Sequence, residues 1–220
     1  MTFDEFVKKY NGKAVDFDGS AGVQCVDLVD QYLKDVFGIT GVWVTGAKDF
    51  YNKFKNYPAL VTVFDRIPNT RELVDHTGDI VIWGGGTWGH CGIADGCGNI
   101  DIFYTYEENT LGRHEPTHRV EHRYAGKTGV DCDTPVLGVL RPKPKYEPML
   151  YKIYDKYRVI DKTGMNIRTG AGIGYQAVGC IPYGDEFIIT DKIYDGYNNW
   201  GKILHSQNWI CVDAKFCKKI

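Results

Sequence analysis

The 220-residue sequence has no Cys-x-x-Cys pair, no long apolar run, and only eight prolines and three methionines. Without the Cys-x-x-Cys spacing the commonest zinc signal is gone. Without about 18 consecutive apolar residues there is no candidate membrane span. The opening Met1-Thr-Phe-Asp-Glu-Phe-Val-Lys-Lys9 has no basic start followed by an apolar stretch, so no secretory signal peptide is expected. Nothing resembles an arginine-rich or zinc-finger reader, and nucleic acid is not an expected partner. Cysteine is present but odd in number: Cys25, Cys91, Cys97, Cys132, Cys180, Cys211 and Cys217. A secreted disulfide framework prefers an even count in a shorter chain. Most of these thiols should be small buried hydrophobes, and the sequence leaves open whether any of them pair.

What is there is ordinary globular material, 43% hydrophobic and 25% charged. Fifteen tyrosines and 26 glycines tilt it toward strands and turns. The formal charge of −2 hides an asymmetry. Through Arg141 the chain carries 14 Lys and Arg against 20 Asp and Glu, and from Pro142 onward 12 against 8. An acidic front and a basic back suggest two units with different partners, the back favouring an anionic surface. The sign changes at Arg141-Pro-Lys-Pro-Lys-Tyr-Glu-Pro148, which reads as an extended linker. The expected division is therefore 1–142, a linker at 143–148, and 149–220.

Thr2-x-x-Glu5 is a capping box ahead of a short helix. Cys25, Leu28, Val29, Tyr32, Leu33 and Val36 recur at helical spacing, with Gly38 as the C-terminal stop. A further short helix is expected over Ala47–Phe54. Strands are expected at Leu60–Phe64, Asp79–Trp83, His90–Ala94, Ile100–Thr105 and Val136–Leu140. Helices first and an antiparallel sheet afterwards is an α+β layout. In the back, short strands over Tyr151–Ile160, Met165–Arg168, Ala177–Cys180, Glu186–Ile193, Trp200–Leu204 and Trp209–Val212 suggest a small all-β barrel.

Three pieces could make chemistry. Cys25 stands at the start of a helix, where free N–H groups and the helix dipole favour a thiolate. His90 follows Gly84-Gly-Gly-Thr-Trp-Gly89 and opens a strand. Glu107 or Asn109, closing the next strand, could accept the second imidazole N–H. Nucleophile, base and orienting group are the set that cysteine hydrolysis requires. Each piece alone is more often structural; their order along the chain makes the case. Separately, Asp16, Asp18 and Asp27 crowd one Gly-rich turn. With the carbonyls of Ser20 and Gly22 they could serve a hard cation such as Ca²⁺, the alternative being a solvated acidic loop.

The order and the local strings resemble the CHAP domain, a cysteine- and histidine-dependent amidohydrolase/peptidase module of the papain-like superfamily. The segments are Gln24-Cys25 with Asp27-Leu28, Gly78-Asp-Ile-Val-Ile-Trp83, Gly89-His-Cys-Gly-Ile-Ala94 and Tyr106-Glu-Glu-Asn109. The resemblance implies Cys25 as nucleophile, His90 as base, Glu107 with Asn109 as orienting pair, and Gln24 as oxyanion donor. It departs from the family at Cys91, where an aliphatic residue is commoner, and at Glu108, where Gln is usual. Some phage-lysin CHAP domains carry calcium at offsets like those of Asp16, Asp18 and Asp27.

The back resembles a bacterial SH3 domain through Gly164-Met-Asn-Ile-Arg-Thr-Gly170, Gly184-Asp-Glu-Phe187, Asn199-Trp-Gly-Lys-Ile203 and Trp209-Ile210. Trp200 and Trp209 are expected in the core. Tyr175, Tyr194 and Tyr197, in expected loops, are the candidates for contact with a wall. Together the two resemblances imply a phage endolysin that cleaves an amide of peptidoglycan, as a muramoyl-alanine amidase or a cross-link endopeptidase. It would be a monomer with no organic cofactor, made in a host cytoplasm and reaching the wall after holin-type release. A wall-binding protein with a degenerate front, or a protein-processing cysteine protease, are the rival readings.

Overall fold

A computed structural model describes residues 1–70, 72–123 and 135–220. Cys132 lies outside the described residues; the other six cysteines are free thiols. The chain forms two compact units, Met1–Leu150 and Tyr151–Ile220.

In the first unit, α1 (Phe3–Tyr10) starts at the Thr2 capping box. Thr2 Oγ1 accepts from Glu5 N at 3.2 Å, and Glu5 accepts from Thr2 N at 3.0 Å. Helix α2 (Cys25–Phe37) buries Leu28, Val29, Tyr32, Leu33 and Val36 and stops at Gly38, whose φ of 70° is costly for any side chain. Helix α3 (Lys48–Asn52) is shorter than expected, with a 3-10 turn at Phe54–Asn56 taking up the rest. Leu60–Phe64, expected as a strand, is mostly helix: α4 spans Pro58–Val63. Pro58 sits in the first turn, where its missing N–H is harmless. Leu60 and Val63, three apart, share the buried side. A short β-branched run satisfies either period, and here the proline decides.

The strands are β1 (Phe64–Pro68), β2 (Ile80–Trp83), β3 (His90–Ala94), β4 (Ile102–Glu107), β5 (His118–Arg123) and β6 (Val136–Pro142). They pair antiparallel in the order β1-β6-β2-β3-β4-β5. Every residue of β2 is buried, with α2 against β3 and α3 against β2 and β6. Strand β5 was not among the expected elements. Its charged string His-Arg-Val-Glu-His-Arg conceals a period-2 alternation that buries His122.

The stretch 143–148 is not an extended linker. Lys143 N donates to Val63 O at 2.9 Å, Tyr146 N to Lys143 O at 2.7 Å, and Glu147–Leu150 forms a 3-10 helix that buries Leu150. Its prolines preset turns, and Pro148 stands early in the helix, where it is tolerated.

The second unit is an antiparallel sheet of β7 (Asp155–Val159), β8 (Met165–Arg168), β9 (Ala177–Ile181), β10 (Glu186–Tyr194), β11 (Asn199–Ile203), β12 (Trp209–Cys211) and β13 (Cys217–Lys219). Their order is β13-β7-β10-β11-β12-β8-β9. Tyr157, Val159, Phe187, Ile189, Ile210, Val212 and Cys217 form its core. Trp200 is buried, and its Nε1 donates to Asp195 at 2.7 Å.

Asp75, just ahead of β2, is buried, and among the described residues neither carboxylate oxygen has a hydrogen-bond partner. Burial, and then the charge of Asp79, push its pKa up to about 7. Because the folded value lies above the unfolded one, stability is full below the unfolded pKa and lost as pH rises through about 7. Asp75→Asn should therefore stabilise the protein by roughly 2–4 kcal/mol at pH 8 and have little effect near pH 4. Denaturation at both pH values checks this; an equal effect at both would contradict it.

Candidate active site

Cys25 is the first residue of α2, half-buried at the floor of a cleft of about 650 Å³. Gln24 precedes it in extended conformation, and Asp27 reaches back to accept Gln24 N at 2.9 Å, closing the helix start. The helix N-terminus favours an anion here. Cys91 lies alongside, its Sγ donating to the Cys25 carbonyl at 3.3 Å. The Cys25 thiol is held well below its ordinary range. A hydrogen bond from Cys91 acts first, opposed by burial, and the hydrogen bond and charge of His90 add to it. Burial drives Cys91 well above that range. Of two adjacent sulfurs, Cys25 ionises and Cys91 keeps its proton.

His90 opens β3 opposite Trp83 of β2, and its Nε2 is 2.7 Å from Glu107 Oε2. Burial acts to lower the imidazole pKa, but the charge of Glu107 and the hydrogen bond to Cys25 raise it well above its usual value. Glu107 ends β4 and is fully buried. Burial alone would protonate it; the charge of His90 and hydrogen bonds from His122 and His90 keep it well below the carboxylate range. Gly92 makes this geometry possible. A Cβ there would meet Glu107 Cγ at 2.7 Å and Thr105 Cβ at 3.2 Å.

Three residues that sequence reasoning did not single out meet the same carboxylate. His122 Nε2 lies 2.6 Å from Oε1, Thr105 Oγ1 bonds Oε1, and Thr110 Oγ1 reaches Oε2 at 3.4 Å. The signal available was the alternation Phe103, Thr105, Glu107 along β4 and His118, Val120, His122 along β5.

Asn109, expected beside Glu107 on the imidazole, is not there. It sits just past β4 at φ 52°, its Nδ2 donating to Gln24 Oε1 at 2.9 Å while its Oδ1 accepts His114 N at 2.8 Å. The left-handed turn swings its amide onto Gln24. Gln24 Nε2 in turn donates to Ala21 O at 3.0 Å, and both residues line the cleft. Glu108 faces away from Glu107. It is fully buried, accepts from Val15 N at 2.8 Å and Thr117 Oγ1 at 2.7 Å, and is pushed up to about 7 by burial.

The carboxylates of Asp16, Asp18 and Asp27 can approach within 4.8 Å of one another. Asp27 is buried, and burial, with the charges of Asp18 and Asp16, raises it to about 6 although Gln24 N and Phe17 N donate to it. Three crowded carboxylates, one of them buried, are a donor set suited to a hard cation. Ser20 and Gly22 lie in the same loop, and Ser20 N donates to Asp18 at 2.8 Å. In the second unit Tyr175, Tyr194 and Tyr197 are all exposed, Tyr197 at 89%. Tyr194 closes β10 and is not in a loop.

No protein-family model matches the chain. It is similar to endolysin PlyTW of Staphylococcus phage Twort, with 29% identity over 92% of this chain and 47% of the relative. The chain thus spans about half the length of that curated relative. Among solved structures, a wild-type endolysin, LysIME-EF1, shares 27% identity over 74% of this chain and 77% of that one, with a TM-score of 0.47. Ly7917 shares 19% over 96% and 92%, with a TM-score of 0.43.

The dependence of the Cys25 thiol on His90 is directly testable. Alkylation of Cys25 by iodoacetamide should stay fast well below the free-thiol pKa of about 8.5, because the thiolate persists there. His90→Ala should move the onset toward that value. Peptide mapping of the alkylated cysteine against pH checks this; an unshifted onset would contradict it.

Proposed function

We propose that the protein is a phage-type endolysin, a peptidoglycan hydrolase that cleaves an amide bond through Cys25, His90 and Glu107. The observation that carries this reading is the convergence, in one open cleft, of a helix-terminal cysteine with lowered pKa and an imidazole held by a buried carboxylate. Similarity to endolysin PlyTW supports it. On this reading the first unit is a papain-like CHAP domain and the second an SH3-like wall-binding barrel.

The Cys25 thiolate attacks the amide carbon. The developing oxyanion takes hydrogen bonds from the backbone N–H at the helix start and from the Gln24 side chain, whose second N–H is not used by Ala21. Asn109 holds the Gln24 amide by its oxygen, so its role is on the oxyanion side. With Nε2 engaged by Glu107, His90 uses Nδ1 to protonate the departing amine, leaving a thioester. It then deprotonates the water that hydrolyses this thioester and restores the thiolate. Glu107 stays ionised throughout, orienting the ring and stabilising the imidazolium.

Asp16, Asp18 and Asp27, with the carbonyls of Ser20 and Gly22, would hold Ca²⁺. The ion would neutralise the crowded carboxylates and pin the loop leading to Cys25. Tyr175, Tyr194 and Tyr197 would contact the wall, and tethering would raise the local concentration of the cleft at its substrate.

Incubation with purified cell walls and mass analysis of the fragments tests the activity and identifies the bond, amidase or endopeptidase. Cys25→Ser should abolish fragment release and leave wall binding unchanged, while Cys91→Ser should retain release. Release retained in Cys25→Ser but lost in Cys91→Ser would transfer the nucleophile. Chelator should lower the melting temperature and suppress release, with Ca²⁺ restoring both and Mg²⁺ less, since Mg²⁺ is smaller and holds its waters tightly. Full stability and release in excess chelator would leave only a solvated acidic loop.

A further inference from the structure

The carboxylate that orients His90 is itself oriented. Glu107 lies under the cleft floor with no exposure, and a carboxylate there can rotate unless both oxygens are engaged. Oε2 faces His90. Oε1 takes the Thr105 hydroxyl and, at 2.6 Å, Nε2 of His122. An ionised carboxylate only accepts, so both are donors, and His122 carries its proton on Nε2. His122 Nε2 also lies 2.8 Å from Thr105 Oγ1, whose oxygen can accept from it while the hydroxyl proton goes to Glu107, so the two donors are tied to each other as well as to Oε1. The ring of His122 cannot turn away: it stacks on Phe103 with centroids 4.7 Å apart and lies 4.9 Å from Trp83, whose indole is 5.4 Å from His90. His122 is only 2% exposed, and its pairing with Phe103 across β4 and β5 fixes its height in the sheet.

We infer that His122 is a positioning residue of the active site, holding Glu107 through Oε1, with Thr105, so that Oε2 is presented to His90. This rests on the cysteine-hydrolase reading above and extends it from three residues to a five-membered line, Cys25, His90, Glu107, His122 and Thr105. The line runs from cleft to core along β3, β4 and β5. A histidine buried only for packing would be replaced by phenylalanine without loss, because the stack on Phe103 survives. A positioning histidine would not, because the Nε2 donor is gone. Glutamine, whose amide nitrogen can reach the place of Nε2, should restore function.

The experiment compares His122→Phe, His122→Gln and Thr105→Val in the full chain. Turnover on purified walls, the alkylation rate of Cys25 at one neutral pH, and the melting temperature are the readouts. His122→Phe should lower kcat roughly 10- to 100-fold with KM little changed, as expected for loss of a hydrogen bond to a charged group. It should slow Cys25 alkylation in parallel. His122→Gln should recover most of both. Thr105→Val should act in the same direction, and its combination with His122→Phe should cost less than the product of the two. Unchanged kcat and alkylation in a folded His122→Phe protein would overturn the inference. So would equal losses in the Phe and Gln variants with wild-type melting. Alkylation needs no substrate: if the wild type released no wall fragments but alkylation still depended on His122, the wall-hydrolase reading would fail and the positioning role would stand. If His122→Phe fails to fold, Thr105→Val carries the test by the same readouts.

Discussion

A negative charge buried at the end of β4 is the constraint on which the rest of the first unit depends. Glu107 has no exposed surface, and an unpaired carboxylate in such a place would take up a proton. It stays ionised because four side chains from three strands and a turn converge on it: His90, Thr105, His122 and Thr110. His90, Thr105 and His122 are placed by sheet register, and Thr110 by the 3-10 turn at Thr110–Gly112. Gly92 gives up its side chain so that the carboxylate can cross β3. The charge is useful because it is expensive to bury. It stabilises the imidazolium of His90, which in turn stabilises the thiolate of Cys25.

Two adjacent glutamates, one ending β4 and one just past it, show how position sorts identical chemistry. Glu107 faces the histidines and is held anionic, while Glu108 faces Val15 and Thr117, and burial lifts its pKa to about 7. The first serves the cleft. The second ties β4 to the approach of the Asp16–Asp18 loop. Cys25 and Cys91 are separated in the same way: the residue at the helix terminus gains a thiolate, and the buried strand residue beside it keeps its proton. In each pair the local electrostatic environment, not the residue type, assigns the role.

That Cys25, His90 and Glu107 come together was legible in their order along the chain, each standing at the end of a periodic element; the catalytic roles given to them are the proposal. The capping box at Thr2 and the stop at Gly38 were legible because element ends carry strong local signals. Asn109 was assigned to the wrong neighbour, because a left-handed turn after a strand redirects a side chain without leaving a mark in composition. His122 was missed with its whole strand, since β5 is so charged that its alternation reads as a surface. Leu60–Phe64 looked like a strand until Pro58 was seen to start a helix. The 143–148 stretch looked like a linker because prolines suit extended chain and tight turns alike. Local chemistry was readable; which strand faces which was a matter of tertiary pairing.

The central claim is that Cys25 forms a covalent acyl intermediate during amide cleavage. Acid-quenching the protein within its first turnovers on purified wall fragments, then mapping its peptides by mass, tests this most directly. The account predicts an acyl adduct on the peptide bearing Cys25, absent in Cys25→Ser. Fragment release with no adduct on Cys25, or with the adduct on Cys91, would contradict it.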